Sequence, residues 1–209
     1  MVRDSITPSI RSPKDMNNVM GARKSCLLHM LLSRKGIELS DDVISNICGI
    51  WTKAFGLKAN GPADRKQFDN NQFFMVSEKK RILSVGRVIP VRGVLFNGRA
   101  YSILGIGGIV SVMKGKGHGS QLMHAIHDYL AKSKQTGIGF CRKGVAPFYE
   151  KCGFKTAPIA NRFVYTNPEG KLMLDERSTD VLYVSGKDSF IEIVLANPRE
   201  KIMLPCPHW

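Results

Sequence analysis

The sequence predicts an α/β domain with a mixed, mostly antiparallel central sheet flanked by helices. Two long β-branched runs, residues 82–94 and 100–112, are joined through Asn97-Gly98, a pair that favours tight hairpins because both positions tolerate positive φ. The second run ends abruptly in Lys114-Gly115-Lys116-Gly117-His118-Gly119-Ser120. Helical spacing then begins at once with Gln121, Leu122, Met123, Ile126, Tyr129 and Leu130. Strand, glycine turn and helix in direct succession define the centre of the fold.

A chain of 209 residues, 43% of them hydrophobic, is long enough to bury one sizeable core. Residues 1–23 mix Ser, Pro, Asn, Arg and Lys without periodicity and read as a partly ordered basic leader, leaving 24–209 as a single domain. The net charge of +14 favours polyanionic ligands or partners. Nucleic acid is one such class, but no aromatic-basic stripe or nucleic-acid motif accompanies the charge. Five cysteines without a C-x-x-C pair read as free thiols in a reducing compartment. No apolar run approaches the ~20 residues of a membrane span, and the amino-terminal stretch lacks a secretory apolar segment, so a soluble cytoplasmic protein is expected. The histidines have no acidic or thiol companions at zinc spacing, so no metal is expected; His124 and His127 share a helix face read as solvated.

In chain order, the apolar run 26–32 suits a strand, with a helical turn as the other possibility. Ser40 offers an N-cap, and Asp41 and Asp42 occupy the favourable first turn. Val43, Ile44, Ile47, Ile50, Trp51 and Phe55 then recur at helical spacing until Gly56 stops the helix. Residues 58–71 are polar, contain Gly61-Pro62 and read as a surface loop. Strands follow at 73–77, 82–94 and 100–112, the first two turning at Glu78-Lys79-Lys80. After the helix ending near Gln135 comes a strand at 137–142. A short helix at 144–154 follows, with Pro147 in its first turn and Gly153 just past its end. Strands return at 162–166, 181–185 and 190–195.

The glycine turn is a ready anion site. Glycine lets the backbone take positive φ and approach a ligand closely, and a helix N-terminus presents unpaired N–H groups at the positive end of its dipole. Lys114 and Lys116 add charge, and a phosphate is the natural guest. The Walker pattern fails, because Val110 stands at its first position and Gly117 follows the lysine. The dinucleotide fingerprint fails too, since the spacing is G-x-G-x-G. A glycine turn serving geometry alone is the plainer alternative.

The segment Lys114-Gly115-Lys116-Gly117-His118-Gly119 resembles the pyrophosphate loop of the GNAT superfamily, R/Q-x-x-G-x-G/A, with lysine at its first place. Downstream, Pro147-Phe148-Tyr149-Glu150-Lys151-Cys152-Gly153-Phe154 is similar to the "a-x-F-Y-x-k-x-G-F" segment of the same proteins. The resemblance covers residues 72–156 and implies a GNAT (acyl-CoA N-acyltransferase) fold. It further implies an acetyl-CoA-dependent N-acetyltransferase moving the acetyl group directly to a primary amine of a small molecule or peptide. A non-catalytic acyl-CoA-binding or nucleic-acid-binding module on the same fold is the alternative. Pro147-Phe148-Tyr149 and Trp209 are also similar to features of aminoglycoside 2'-N-acetyltransferases.

By this resemblance, the strand through Ile109, Val110 and Ser111 splays from its neighbour, and one of those N–H groups faces the thioester oxygen. Acetyl-CoA is then held by these three residues with Lys114, Gly115, Lys116, Gly117, His118, Gly119 and Ser120. Tyr149 is the candidate general acid, because a phenol of pKa ~10 is protonated at neutral pH and can donate to a thiolate. Its alternative is packing a helix on the sheet. Phe148 and Cys152 read as core. Cys141 would serve only a covalent route, for which no His or Asp motif is present. Glu78, Glu150 and Asp128 read as surface charges, so no general base is named. The ending Pro205-Cys206-Pro207-His208-Trp209 is either a frayed tail or a segment folding back near Tyr149 to help bind an amine.

Overall fold

The computed structural model describes residues 29–56, 62–174 and 176–207. The leader 1–23, the start of the 26–32 run, and His208 and Trp209 lie outside the described residues. The remainder of that run begins a strand, β1 (Met30–Lys35). Helix α1 (Asp41–Phe55) follows, entered from Ser40 and ended by Gly56 in the left-handed region. Then come β2 (Gln72–Glu78), β3 (Arg81–Phe96) and β4 (Arg99–Ser111). The β3–β4 turn uses Asn97 and Gly98, both at positive φ, which matches the right-handed twist of the flanking strands. Helix α2 (His118–Ser133), β5 (Gly137–Cys141) and α3 (Ala146–Lys151) complete the central stretch. Beyond them lie β6 (Lys155–Ala157), β7 (Phe163–Thr166), β8 (Leu172–Leu174), β9 (Asp180–Val184), α4 (Phe190–Ala196) and β10 (Ile202–Leu204).

One sheet runs in the order β6-β9-β5-β4-β3-β10-β7-β8, and β1 and β2 lie beside the first half of β3. Only β4–β5 and β7–β10 pair parallel; the other contacts are antiparallel. The sheet is therefore mixed and mostly antiparallel, as expected. Three cores hold it. On one face α1 packs Ile44, Ile47 and Trp51 onto Phe73, Met75 and Val85. On the other, α2 packs Leu122, Met123, Ile126 and Leu130 onto Phe74, Val88, Leu104 and Ile106. A third core, around Phe96, Phe163, Phe190 and Ile202, binds the far end of the β3–β4 hairpin to α4 and the short late strands.

Two expectations are corrected. Residues 190–195 are helical: Phe190, Ile191 and Val194 are buried at helical spacing, and the Asp188 carboxylate accepts the Phe190 N–H at the helix start. β-branched content had pointed to a strand, but tertiary packing overrode that weak local preference. Asp188 also accepts from the Thr136 hydroxyl and from its N–H, tying α4 to the start of β5. The 58–71 stretch is not all surface loop. A 3₁₀ segment spans Pro62–Phe68, and Phe68 is 5% exposed. Arg65 fastens this segment, donating to the carbonyls of Gly36 and Leu39 at 2.8 Å each and pairing with Asp69 at 2.9 Å. The late lobe has a similar anchor. Buried Arg162 donates to the carbonyls of Val194, Asn197 and Glu200, so it satisfies acceptors at and beyond the end of α4.

Candidate functional site

The site begins where β4 leaves β5. The two strands pair from Leu104 with Gly137 to Ile106 with Gly139, and then separate. From Gly107 onward β4 remains paired only to β3, while β5 continues against β9. Among the described residues, the edge of β4 from Gly107 to Ser111 that faces β5 is thus left without a strand partner. Gly108 sits at the irregularity, with φ at +63°. The Trp51 indole Nε1 donates to its carbonyl at 2.7 Å.

Peptide groups alternate in direction along a strand. The Val112 N–H donates to the Leu83 carbonyl on the β3 side. By alternation the Val110 N–H also faces β3, whereas that of Ser111 points to the open edge; the Ile109 N–H shares its peptide with the Gly108 carbonyl, at the irregularity where regular alternation stops. Val110 therefore drops out of the three backbone donors expected for a thioester oxygen. Its side chain packs in the α1 core, and that of Ile109 in the α2 core.

The glycine turn follows directly. Gly115 and Gly117 lie at positive φ, and a Cβ at either would meet open space. Gly117 is the N-cap of α2, and no side chain caps that helix end. Its first-turn N–H groups thus have no side-chain cap among the described residues, the arrangement a pyrophosphate cradle uses. Lys114 and Lys116 are exposed beside it. The His118 side chain is 3% exposed and turned inward, edge-on to His29 at 4.6 Å between ring centroids. Burial, and next the nearby His29, lower its pKa, so its imidazole is no phosphate cation and only its backbone remains available. The buried Ser84 hydroxyl donates to the His118 carbonyl at 3.0 Å and fixes the start of α2 on β3.

Helix α3 closes the other side. Tyr149 is half-buried and packs with Ile109 against the core that contains Ile106 and Cys141. The influence of Cys141 on its phenol puts it near the end of β5. Burial, followed by the nearby Cys141 and Cys152, pushes its phenol up to about 12. The Cys141 thiol is pushed up to about 11 by burial and then by Asp180 and Glu150. At that value little of it is thiolate at neutral pH. Cys152 is buried as expected, and Ser120 reaches its thiol. Phe148 is not core: it is 37% exposed, and its ring lies 3.6 Å from where a Cβ on Gly119 would sit. It walls the glycine turn. Glu150 and Asp128 are exposed, as expected, and His124 is exposed while His127 packs against Phe154.

Sequence reasoning missed Arg87. It lies on β3 opposite Gly107, with its guanidinium carbon 4.8 Å from the Trp51 ring centroid and 5.4 Å from that of Phe68. Nothing in the local pattern distinguishes it from any polar strand residue. Among the described residues no group of His, Cys, Asp and Glu could hold a metal ion, and no helix is long and apolar enough to cross a membrane.

A strand whose free edge runs into an uncapped, glycine-led helix N-terminus can hold an extended thioester by its amide groups and its diphosphate by the turn. That combination defines the acyl-CoA N-acyltransferase class. A family profile described as an acetyltransferase (GNAT) domain matches residues 37–157, more than half of the chain. The chain belongs to this GNAT acetyltransferase family. The match ends with β6, so the late lobe lies outside it.

Solved structures show the same fold. An acyl-CoA N-acyltransferase from Pseudomonas aeruginosa aligns at 14% identity and TM-score 0.52 over 76% of this chain and 100% of its own. BjaI, a CoA-dependent acyl-homoserine lactone synthase solved with SAM and isopentyl-CoA, aligns at 13% identity and TM-score 0.52 over 85% and 93%. A protein of Enterococcus faecalis V583 aligns at 20% identity and TM-score 0.48 over 60% of this chain and 32% of its own, so this chain spans about a third of that protein's length. No curated protein matches the sequence.

Proposed function

We propose that the chain transfers an acetyl group from acetyl-CoA directly to a primary amine. The observation that carries this reading is the unpartnered edge of β4 running into the open glycine turn, with Tyr149 near the end of β5. The turn from Lys114 to Ser120 would hold the pyrophosphate, and the Ile109 or Ser111 N–H would polarise the thioester oxygen. Acetyl-CoA supplies the activated acyl group. The amine nitrogen bonds to the thioester carbon, the carbon–sulfur bond breaks, and the leaving sulfur takes the Tyr149 Oη proton. Water carries away the amine proton and reprotonates the phenol. Small-molecule amines and peptide amines both remain acceptor classes.

Isothermal titration with acetyl-CoA, followed by free-thiol release across an amine panel, tests the proposal. Binding together with amine-dependent thiol release supports transfer. Binding with no thiol release from any amine favours the non-catalytic module.

A further inference from the structure

Arg87 is a cation placed in an apolar bracket without a counter-ion among the described residues. Gly86 approaches Ile109, Leu122 and Ile126, and Val88 packs in the α2 core, so the intervening Arg87 projects to the α1 face. There Trp51 and Phe68 flank its guanidinium. Its Nε is buried and has no hydrogen-bond partner, and no ion pair to Arg87 exists among the described residues. The neighbouring Cys48 offers no negative charge at neutral pH, because burial raises its thiol pKa. Burial lowers the Arg87 pKa to about 10, which still leaves it protonated at neutral pH. Arg87 as a whole is half-buried, and ring faces compensate such a cation only in part.

Its position gives that unmet charge a use. Arg87 is in register with Gly107, next to the segment of β4 whose other edge is open. Trp51, which flanks the guanidinium, also holds the Gly108 carbonyl. The glycine turn belongs to the α2 side, so a donor anchored there leaves the α1 face for the acceptor. Only Nε is among the buried unpartnered atoms, and the two terminal nitrogens of a guanidinium form a planar pair matched to a carboxylate. We infer that the acceptor is a carboxylate-bearing amine and that the Arg87 guanidinium receives its carboxylate. This rests on the transferase reading above.

The test uses matched amines that keep or lack the carboxylate: L-lysine against cadaverine, L-phenylalanine against phenethylamine, and L-tyrosine against tyramine. Binding by titration in the presence of CoA, and turnover with acetyl-CoA, are read for the wild type, Arg87→Lys and Arg87→Met. In at least one pair the wild type should favour the carboxylate member by about tenfold or more. Arg87→Met should erase that preference with acetyl-CoA affinity unchanged, and Arg87→Lys should fall between. Methionine suits the aromatic bracket, and circular dichroism checks that the variant is folded. Equal handling of both members of every pair by the wild type overturns the inference, whether both are accepted or both ignored. So does a folded Arg87→Met protein that keeps the preference. Titration of the same wild-type sample with acetyl-CoA judges the transferase reading separately. Acetyl-CoA binding without carboxylate preference defeats the Arg87 role alone, and absence of acetyl-CoA binding defeats the donor site.

Discussion

Trp51 and Gly108 are locked together: the indole donates to the glycine carbonyl at 2.7 Å, and its ring lies where a side chain on Gly108 would go. A Cβ there would fall 2.6 Å from the ring, at a backbone φ of +63°. The contact joins α1 to the point where β4 becomes free. Gly108→Ala should therefore destabilise the protein by about 2 kcal/mol or more, combining overpacking with left-handed strain. Trp51→Phe removes the donor but keeps most of the packing, and should cost about 1–2 kcal/mol. Urea denaturation would measure both. A Gly108→Ala protein as stable as the wild type would mean that β4 does not need this irregularity.

Gly117→Val tests the turn. No atom lies within 4 Å of its would-be Cβ, so the folded protein has room for the side chain, at the expense of strain at φ +81°. The branched group would stand where the diphosphate must approach the first N–H groups of α2. Acetyl-CoA affinity should fall tenfold or more, about 1.4 kcal/mol. Unchanged affinity by titration of the folded variant would remove the diphosphate from this turn.

The hairpin was legible because Asn97-Gly98 is a local signal, and both residues do take positive φ. The glycine turn and the Tyr149 segment were legible for the same reason, each being a short stretch that carries its own geometry. The Gly108 bulge was not, because it depends on Trp51, 57 residues away in sequence. Arg87 escaped for a related reason: its isolation comes from what three separate segments fail to provide. The inward turn of the His118 imidazole was equally illegible, because it depends on its contact with His29, far away in sequence. In Phe190–Ala196 the β-branched residues spoke for a strand until packing decided for a helix.

Cys141→Ala should keep near wild-type turnover. The thiol is buried and its pKa is pushed up to about 11, so only a trace is thiolate at neutral pH. Alkylation by iodoacetamide should be correspondingly slow in the folded protein. A loss of turnover beyond about tenfold in a folded, acetyl-CoA-binding Cys141→Ala variant would argue for a covalent acetyl-cysteine route.

Tyr149→Phe should leave folding and acetyl-CoA affinity intact, because the ring packing with Phe148 and Phe154 is retained. Turnover should drop on the order of 10²-fold if the phenol is the proton donor. Dependence on the leaving thiol separates this from a packing effect, because the pH profile is expected to be flat in either case. A phenol is active in its protonated form, and burial raises its pKa to about 12. Raising the pKa extends the protonated form toward higher pH, so the donor is present throughout neutral pH and is lost only as pH climbs toward 12. The wild type should accordingly show no alkaline fall in kcat from this group below about pH 10, the ordinary phenol range. In Tyr149→Phe, kcat should instead rise as the leaving thiol's need for a donor is relieved by a thiol of lower pKa. Acetyl esters of more acidic thiols, compared with acetyl-CoA under saturating conditions, should narrow the gap between variant and wild type. Equal turnover of the two proteins with acetyl-CoA would return Tyr149 to a packing role.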